Sequence, residues 1–202
     1  GAELSKRLAA KGIVMLGYME GGFRNMINNK RPVSVPADVQ GVKYRVMQNP
    51  VCIDMFNNMG GSAVPMAWGE TFTAVQQGTI DGLEIPLAVI EANKYYEVTK
   101  FLSLTNHTYS MNGLTMSKRT LDKLKPEQRA AVMSAAKSAT AEQRITAGAD
   151  AKKTLSTLEK NGMKINAVSD VAAFRKSVAP VYEKFRQAGN GQLLDMALAA
   201  VK

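Results

Sequence analysis

The sequence predicts an α/β layer fold that runs into a largely helical second half, and three observations carry that prediction. Short extended runs and helical runs alternate between residues 42 and 104, as in a sheet covered by helices. A polar–apolar run extends from Pro126 to about Glu159 and is closed by Asn161-Gly162, with proline opening and glycine ending a helix. The composition, 46% hydrophobic and 21% charged over 202 residues, describes a folded globular chain with ample core. No internal repeat or low-complexity linker interrupts it.

At the start, Gly12 to Tyr18 reads as a strand, Glu20-Gly21-Gly22 as a turn and Phe23 to Ile27 as a second extended piece. Lys30-Arg31-Pro32 begins a loop, and Pro36-Ala37-Asp38 opens a short turn or helix. Val42 to Met47 is a short strand. Pro50 introduces a helix over Val51 to Met59, stopped by Gly60-Gly61. Ala63 to Met66 is extended, Glu70 to Gln77 helical, and Gly78 its stop. Ile80 to Ile85 is extended, although Gly82 weakens it as a regular strand. Leu87 to Thr99 returns to helix and Phe101 to Leu104 to strand. Gly113 to Ser117 predicts another strand and Lys118 to Leu124 a short helix. The run from Pro126 would measure about 50 Å as one helix, and Gly148 makes two helices in line an alternative. Met163 to Val168 can return to a sheet; Asp170 to Gln187 and Gln192 to Val201 are amphipathic helix candidates.

Charge excludes less than its size suggests. The formal net charge is +9, from 26 Lys and Arg against 17 Asp and Glu. Residues 1–117 carry 10 basic and 9 acidic side chains, and residues 118–202 carry 16 and 8. The excess is therefore spread along helical sequence, as on a solvated face. No zinc finger, GXXG loop, RNP-like aromatic block or cluster of five basic residues points to nucleic acid. One cysteine cannot form an internal disulfide, and one histidine leaves no His/Cys zinc cluster. No run approaches 18 apolar residues. The chain begins Gly1-Ala2-Glu3-Leu4 without a signal peptide, which excludes nothing about export.

Enzyme motifs are scarce: GxSxG, HExxH, the P-loop and GxGxxG are all missing from the sequence. Cys52, between Val51 and Ile53 on a helix, reads as a small buried hydrophobe. Arg45 is more informative, because it sits inside the apolar run Tyr44-Arg45-Val46-Met47. An enclosed guanidinium needs an ionic or polar partner, and its planar fork fits a carboxylate in two parallel hydrogen bonds. An edge-strand arginine facing solvent, or one paired with an internal acid, is the competing reading. Arg24, between Phe23 and Asn25, raises the same question. His107 lies just past a strand, where it could be structural, exposed or pocket-lining. Trp68 could belong to the core or form one wall of a cleft. Glu84, an acid among apolar neighbours, needs hydrogen bonds or a salt bridge.

Taken together, these segments resemble the solute-binding proteins of tripartite ATP-independent periplasmic (TRAP) transporters, the dicarboxylate-binding-protein family. The matching stretches are Gly17-Tyr18-Met19-Glu20-Gly21-Gly22-Phe23-Arg24, Lys30-Arg31-Pro32 and Lys43-Tyr44-Arg45-Val46-Met47-Gln48. They continue through Pro65-Met66-Ala67-Trp68-Gly69-Glu70, Ala74-Val75-Gln76-Gln77-Gly78, Asp81-Gly82-Leu83-Glu84, Lys94-Tyr95-Tyr96-Glu97-Val98 and Leu104-Thr105-Asn106-His107. The remainder resembles the family's long helical tail.

The resemblance implies part of a two-lobe periplasmic binding protein fold of type II character, with a long helix bridging the lobes. Residues 1–41 would form a crossover and first-lobe segment, 42–104 a second α/β lobe, 105–125 a return crossover, and 126–202 the bridging helix with a C-terminal α/β tail. It further implies a periplasmic, monomeric protein that captures a small organic carboxylate for the membrane subunits of a TRAP permease. No catalysis, cofactor, metal or nucleic acid is expected. Arg45 would clamp the carboxylate, with Arg24 assisting or stabilising the closed cleft. Gln48 would be a polar contact, Met66 and Trp68 an apolar and aromatic wall, and His107 a polar contact, directly or through water. Glu84 and Ile85 fall in the same motif. Many relatives, sialic-acid binders among them, have asparagine where Ile85 stands, so a less hydroxylated ligand face is expected. A 2-oxo acid, hydroxy acid, aromatic acid or short dicarboxylate would fit. Family members are longer, so the chain is expected to enter partway through, without much of the first lobe. A ligand-sensing module for a signalling partner and an organic-acid enzyme using His107 as acid/base are the alternative functions.

Overall fold

In a computed structural model, described here over residues 1–200, the strands form one six-stranded sheet. Its strands are β1 (Ile13–Asn28), β2 (Lys43–Val46), β3 (Ser62–Pro65), β4 (Gly82–Pro86), β5 (Phe101–Ser117) and β6 (Lys164–Ala167), in the order β3-β2-β4-β1-β5-β6. β2 runs parallel to β3 and β4, β1 runs antiparallel to β4, and β5 runs parallel to β6. The helices are α1 (Ala2–Ala9), α2 (Pro50–Asn58), α3 (Trp68–Gln76), α4 (Leu87–Ala92), α5 (Lys118–Asp122), α6 (Pro126–Lys160), α7 (Val171–Ser177), α8 (Ala179–Phe185) and α9 (Gly191–Ala200). None of them is long and apolar enough to cross a membrane.

The chain divides into two compact units. One comprises Gly1–Gly22 and Tyr109–Ala151, the other Phe23–Thr108 and the chain from Lys152 onward. In the first, α1, the early part of β1, the later part of β5, α5 and most of α6 come together. Gly17 of β1 lies so close to Thr140 of α6 that a Cβ there would fall 2.4 Å from its Cγ2. Gln143 seals the same strand by donating to the Glu20 carbonyl and accepting its N–H, at 2.9 and 2.8 Å.

The second unit has a core on each face of its sheet. Strand alternation decides which residue goes where. Ile27, Leu83, Ile85 and Leu102 join Ala74 and Val75 of α3, Ile90 of α4, Tyr95 and Leu158 on one face. Met26, Tyr44 and Val46 join Phe56 of α2 and Phe174 of α7 on the other. Local signals start these helices. The Asn49 side chain accepts the Val51 N–H at 2.8 Å ahead of Pro50, and Asp170 caps Ala173 in the same way.

Several expectations change. The turn expected at Glu20-Gly21-Gly22 is absent, and β1 is continuous from Ile13 to Asn28. Gly21 instead passes against the Ser110 carbonyl, 2.7 Å from where a Cβ would be. The two strands expected at 101–104 and 113–117 are one strand of 17 residues, so His107 lies within β5 and not beyond a strand end. Asn106 has a left-handed φ of 44° inside it, a conformation asparagine tolerates better than most residues. α6 is one helix of 35 residues through Gly148, since one glycine costs only about 1 kcal/mol against alanine. The helix expected over 170–187 is divided at Val178, with Pro180 in the first turn of α8. α1 carries no signal that the sequence reading used.

Candidate functional site

The three parallel strands β3, β2 and β4 have their carboxyl ends on one side of the sheet, at Pro65, Val46 and Pro86, with β4 running two residues further than the others. Ligands of open α/β sheets bind beyond such carboxyl ends, and the residues singled out in the sequence gather there. Arg45 is the penultimate residue of β2, with Gln48 exposed in the bend that follows. Met66 leaves β3, and Trp68 is the first residue of α3. Glu84 and Ile85 are in β4, and Arg24 in β1 is the register partner of Pro86.

The pleat sorts these residues to two faces. Arg45 is the register partner of Leu83, so it shares the face of Leu83, Ile85 and Tyr95. Glu84 projects to the other face with Arg24 and His107. The two arginines therefore have different surroundings, although both are nearly enclosed.

Arg24 is held by Glu84. Its Nε donates to Glu84 Oε2, and its Nη2 donates to Oε1 at 2.7 Å and to the Glu84 carbonyl at 2.6 Å. His107 completes the cluster: Nε2 is 3.2 Å from Glu84 Oε2 and Nδ1 is 2.7 Å from Thr105 Oγ1. Its ring meets Phe56 edge-on at 6.1 Å. Burial raises the Glu84 carboxyl, but the hydrogen bonds from His107 and Arg24 and their charges outweigh it and hold it below the usual carboxylate range. Both imidazole nitrogens are occupied by protein partners. The partner that the Glu84 acid needed is an arginine 60 residues away.

Arg45 has no such acid. It is 5% exposed, its Nε donates to the Met66 carbonyl at 3.0 Å, and its guanidinium carbon lies 5.6 Å from the centre of the Trp68 ring. Among the described residues it forms no ion pair. Burial pushes its guanidinium below the ordinary arginine value; the Glu84 charge opposes that shift and the Arg24 charge adds to it. An enclosed cation without a counter-charge is costly, and a guanidinium held by one nitrogen keeps its other donors for a planar anion.

The walls around Arg45 are aromatic and apolar. Trp68 is 42% exposed, tilted against Tyr95 with ring centres 5.7 Å apart. Met66 packs partly into the adjoining core, and Ile85 is 2% exposed within it. Cys52 is half-buried in α2, and burial raises its thiol, which opposes thiolate character. No group of three or more metal-ligating side chains occurs among the described residues. Sequence reasoning gave no role to two residues here. Tyr95 appeared only within a motif, and Asn25, fully buried, accepts the Asn106 N–H at 3.1 Å. Neither had a local signal, because their neighbours come from distant segments.

Comparison with known proteins agrees with this architecture. The model of a family described as bacterial extracellular solute-binding protein, family 7 (DctP), matches residues 1–188. A solute-binding protein of Verminephrobacter eiseniae is 40% identical over 187 residues, covering 93% of this chain and 56% of its own length. A TRAP periplasmic solute-binding protein of Sulfitobacter sp. NAS-14.1, solved with β-D-galacturonate, superposes with a TM-score of 0.91 at 39% identity, over 96% of this chain and 65% of that one. Another from Polaromonas sp. JS666, bound to D-erythronate, gives 0.90 at 40% identity, over 97% and 65%. The chain thus spans little more than half the length of the curated relative it matches. Its α/β units and the long α6 follow the type II periplasmic binding protein plan. The chain belongs to the bacterial extracellular solute-binding protein family 7, the periplasmic solute-binding proteins of TRAP transporters.

Proposed function

We propose that the whole protein captures a small hydroxylated organic acid in the periplasm, with Arg45 receiving the carboxylate, and delivers it to a TRAP permease. The observation that carries this reading is a guanidinium 5% exposed and without an ion pair among the described residues, at the carboxyl ends of three parallel strands. The galacturonate and erythronate in the two similar structures are sugar acids, which supports a hydroxy or sugar acid here, against the less hydroxylated ligand expected from Ile85, a side chain buried in the core. Binding needs no bond chemistry. The carboxylate supplies the missing counter-charge, and exclusion of water strengthens the pairing while costing both ions their hydration. Met66 fixes the fork through its carbonyl, Trp68 offers an aromatic wall, and Gln48 stands at the rim as a polar contact. Arg24, Glu84 and His107 act as a closed ionic cluster behind the site. With both nitrogens hydrogen-bonded to protein groups, His107 supports the cluster.

Isothermal titration of the full-length protein with D-galacturonate and D-erythronate tests the reading. At least one acid is expected to bind and to be recovered chemically intact. Arg45→Ala is expected to weaken it by about 100-fold or more, as for truncation of one member of an enclosed charge pair. Unchanged affinity in that variant would remove Arg45 from the site.

A further inference from the structure

We propose that Asn25 is a positioning residue: its side-chain amide holds the left-handed backbone of β5 at Asn106 and so delivers the His107 imidazole onto Glu84. The inference does not depend on which ligand Arg45 receives. Among the described residues, Asn106 is the one non-glycine residue inside a strand with a left-handed φ, 44°. Residues other than glycine take that conformation at an energetic cost. Asn106 does not offset the cost with its own side chain, which is exposed and makes no hydrogen bond among the described residues. The support comes from Asn25, which is fully buried. Its Oδ1 accepts the Asn106 N–H at 3.1 Å, and its Nδ2 donates to the Phe23 carbonyl at 3.1 Å. The N–H can only donate and the carbonyl can only accept, so the two contacts fix which way the amide faces. Aspartate could not make both, and leucine could make neither.

An irregular residue within a strand re-aims the side chains beside it. Thr105 and His107, on either side of Asn106, meet with Thr105 Oγ1 2.7 Å from His107 Nδ1, and His107 Nε2 reaches Glu84 Oε2 at 3.2 Å. Glu84 is ionised, since its neighbours hold it below the usual carboxylate range, and a carboxylate only accepts. The imidazole proton is therefore on Nε2, and the Thr105 hydroxyl donates to Nδ1. The His107 side chain is 8% exposed and that of Glu84 1%, so a displaced His107 would leave a buried carboxylate short of a donor. Asn25 is the register partner of Ile85 and stands on the sheet face of Arg45, whereas Glu84 and His107 lie on the other. The backbone of β5 carries its effect from one face to the other.

The test is NMR of the full-length protein carrying nitrogen-labelled histidine, read at the His107 Nε2–H proton and assigned by its loss in His107→Gln. A ring proton donated to an enclosed carboxylate is expected to exchange slowly with water. In Asn25→Leu it is expected to exchange at least about 10-fold faster, the effect of one enclosed hydrogen bond. Adding Asn106→Gly to Asn25→Leu is expected to recover slow exchange, because glycine takes a φ of 44° without strain. Asn106→Val keeps Asn25 but disfavours the left-handed conformation at an exposed position, and is expected to lose the slow proton. An unchanged signal in Asn25→Leu overturns the proposal. So does an unchanged signal in Asn106→Val, which decides the matter even if Asn25→Leu does not fold. Loss in Asn25→Leu without recovery in the double variant overturns it as well, since Asn25 would then fill space and not set the backbone. A wild type without a slowly exchanging His107 proton overturns it at the start.

Discussion

Arg24 and Arg45 carry the same guanidinium at 8% and 5% exposure, and what separates them is the acid at Glu84. Glu84 takes two nitrogens of Arg24 on its carboxylate, and Arg45 forms no ion pair among the described residues. Glu84→Gln therefore strands the Arg24 charge in the sheet. It is expected to lower stability by about 3–5 kcal/mol, read by urea denaturation at pH 7, and a loss below 1 kcal/mol would argue against a structural cluster. The same residue sets part of the acid response. Its folded pKa is depressed, so its stabilisation is fully present above the unfolded value of about 4.3. It is lost as pH falls through the lower folded value. Between pH 5 and 3 the wild type should lose stability more steeply than Glu84→Gln, and parallel curves would contradict that assignment. At this scale the sequence exposed Arg45 as a cation in an apolar run and Glu84 as an acid in need of partners. It could not show which arginine takes the acid, because the partners lie on strands that meet only in the sheet.

Among the elements, glycines separate what propensity governs from what packing governs. Gly82 weakened β4 as read from sequence, yet it begins that strand. A Cβ there would lie 2.0 Å from the Ile27 carbonyl oxygen and 2.7 Å from Asn28 Cβ. Gly82→Ala must move backbone in β1 and is expected to cost at least about 1–3 kcal/mol. Gly148 is the reverse case: no atom lies within 4 Å of its would-be Cβ in the middle of α6. Gly148→Ala should stabilise by about 0.5–1 kcal/mol, and paired denaturation curves of the two variants should shift in opposite directions. Shifts of the same sign would refute the contrast. The helix starts at Pro50 and Asp170 were legible, since a cap and its helix lie within a few residues. The continuity of β1 and β5 was not, because a polar stretch becomes a strand only when a neighbouring strand pairs with it.

For the whole molecule, ligand capture and folding are linked. A ligand that binds only the folded state stabilises it by RT ln(1 + [L]/Kd), about 2.7 kcal/mol at 100 times Kd. The full-length protein should melt about 4 °C higher with a bound sugar acid at that concentration, whereas Arg45→Ala should show no shift. A shift of equal size in Arg45→Ala would place the binding energy elsewhere. The net charge of +9 does not bear on this, since the excess lies beyond residue 117 and the cation that carries the argument is one buried side chain. Family membership was readable from ordered motifs between residues 17 and 107. The grouping of the chain was harder to read, because each compact unit draws on two separated stretches.

The sequence by itself determined the α/β character, the capped helix starts, the glycine stops and the presence of an enclosed-type arginine at position 45. Those properties depend on periodicity and on contacts within a few residues. Only the tertiary structure decided that Arg24 is neutralised by Glu84, that both nitrogens of His107 are hydrogen-bonded, that Arg45 forms no ion pair among the described residues and that the Tyr95 ring packs against the same Trp68 indole. Each of these follows from which face of a strand a side chain takes and which distant strand lies beside it, and that is settled when the sheet assembles.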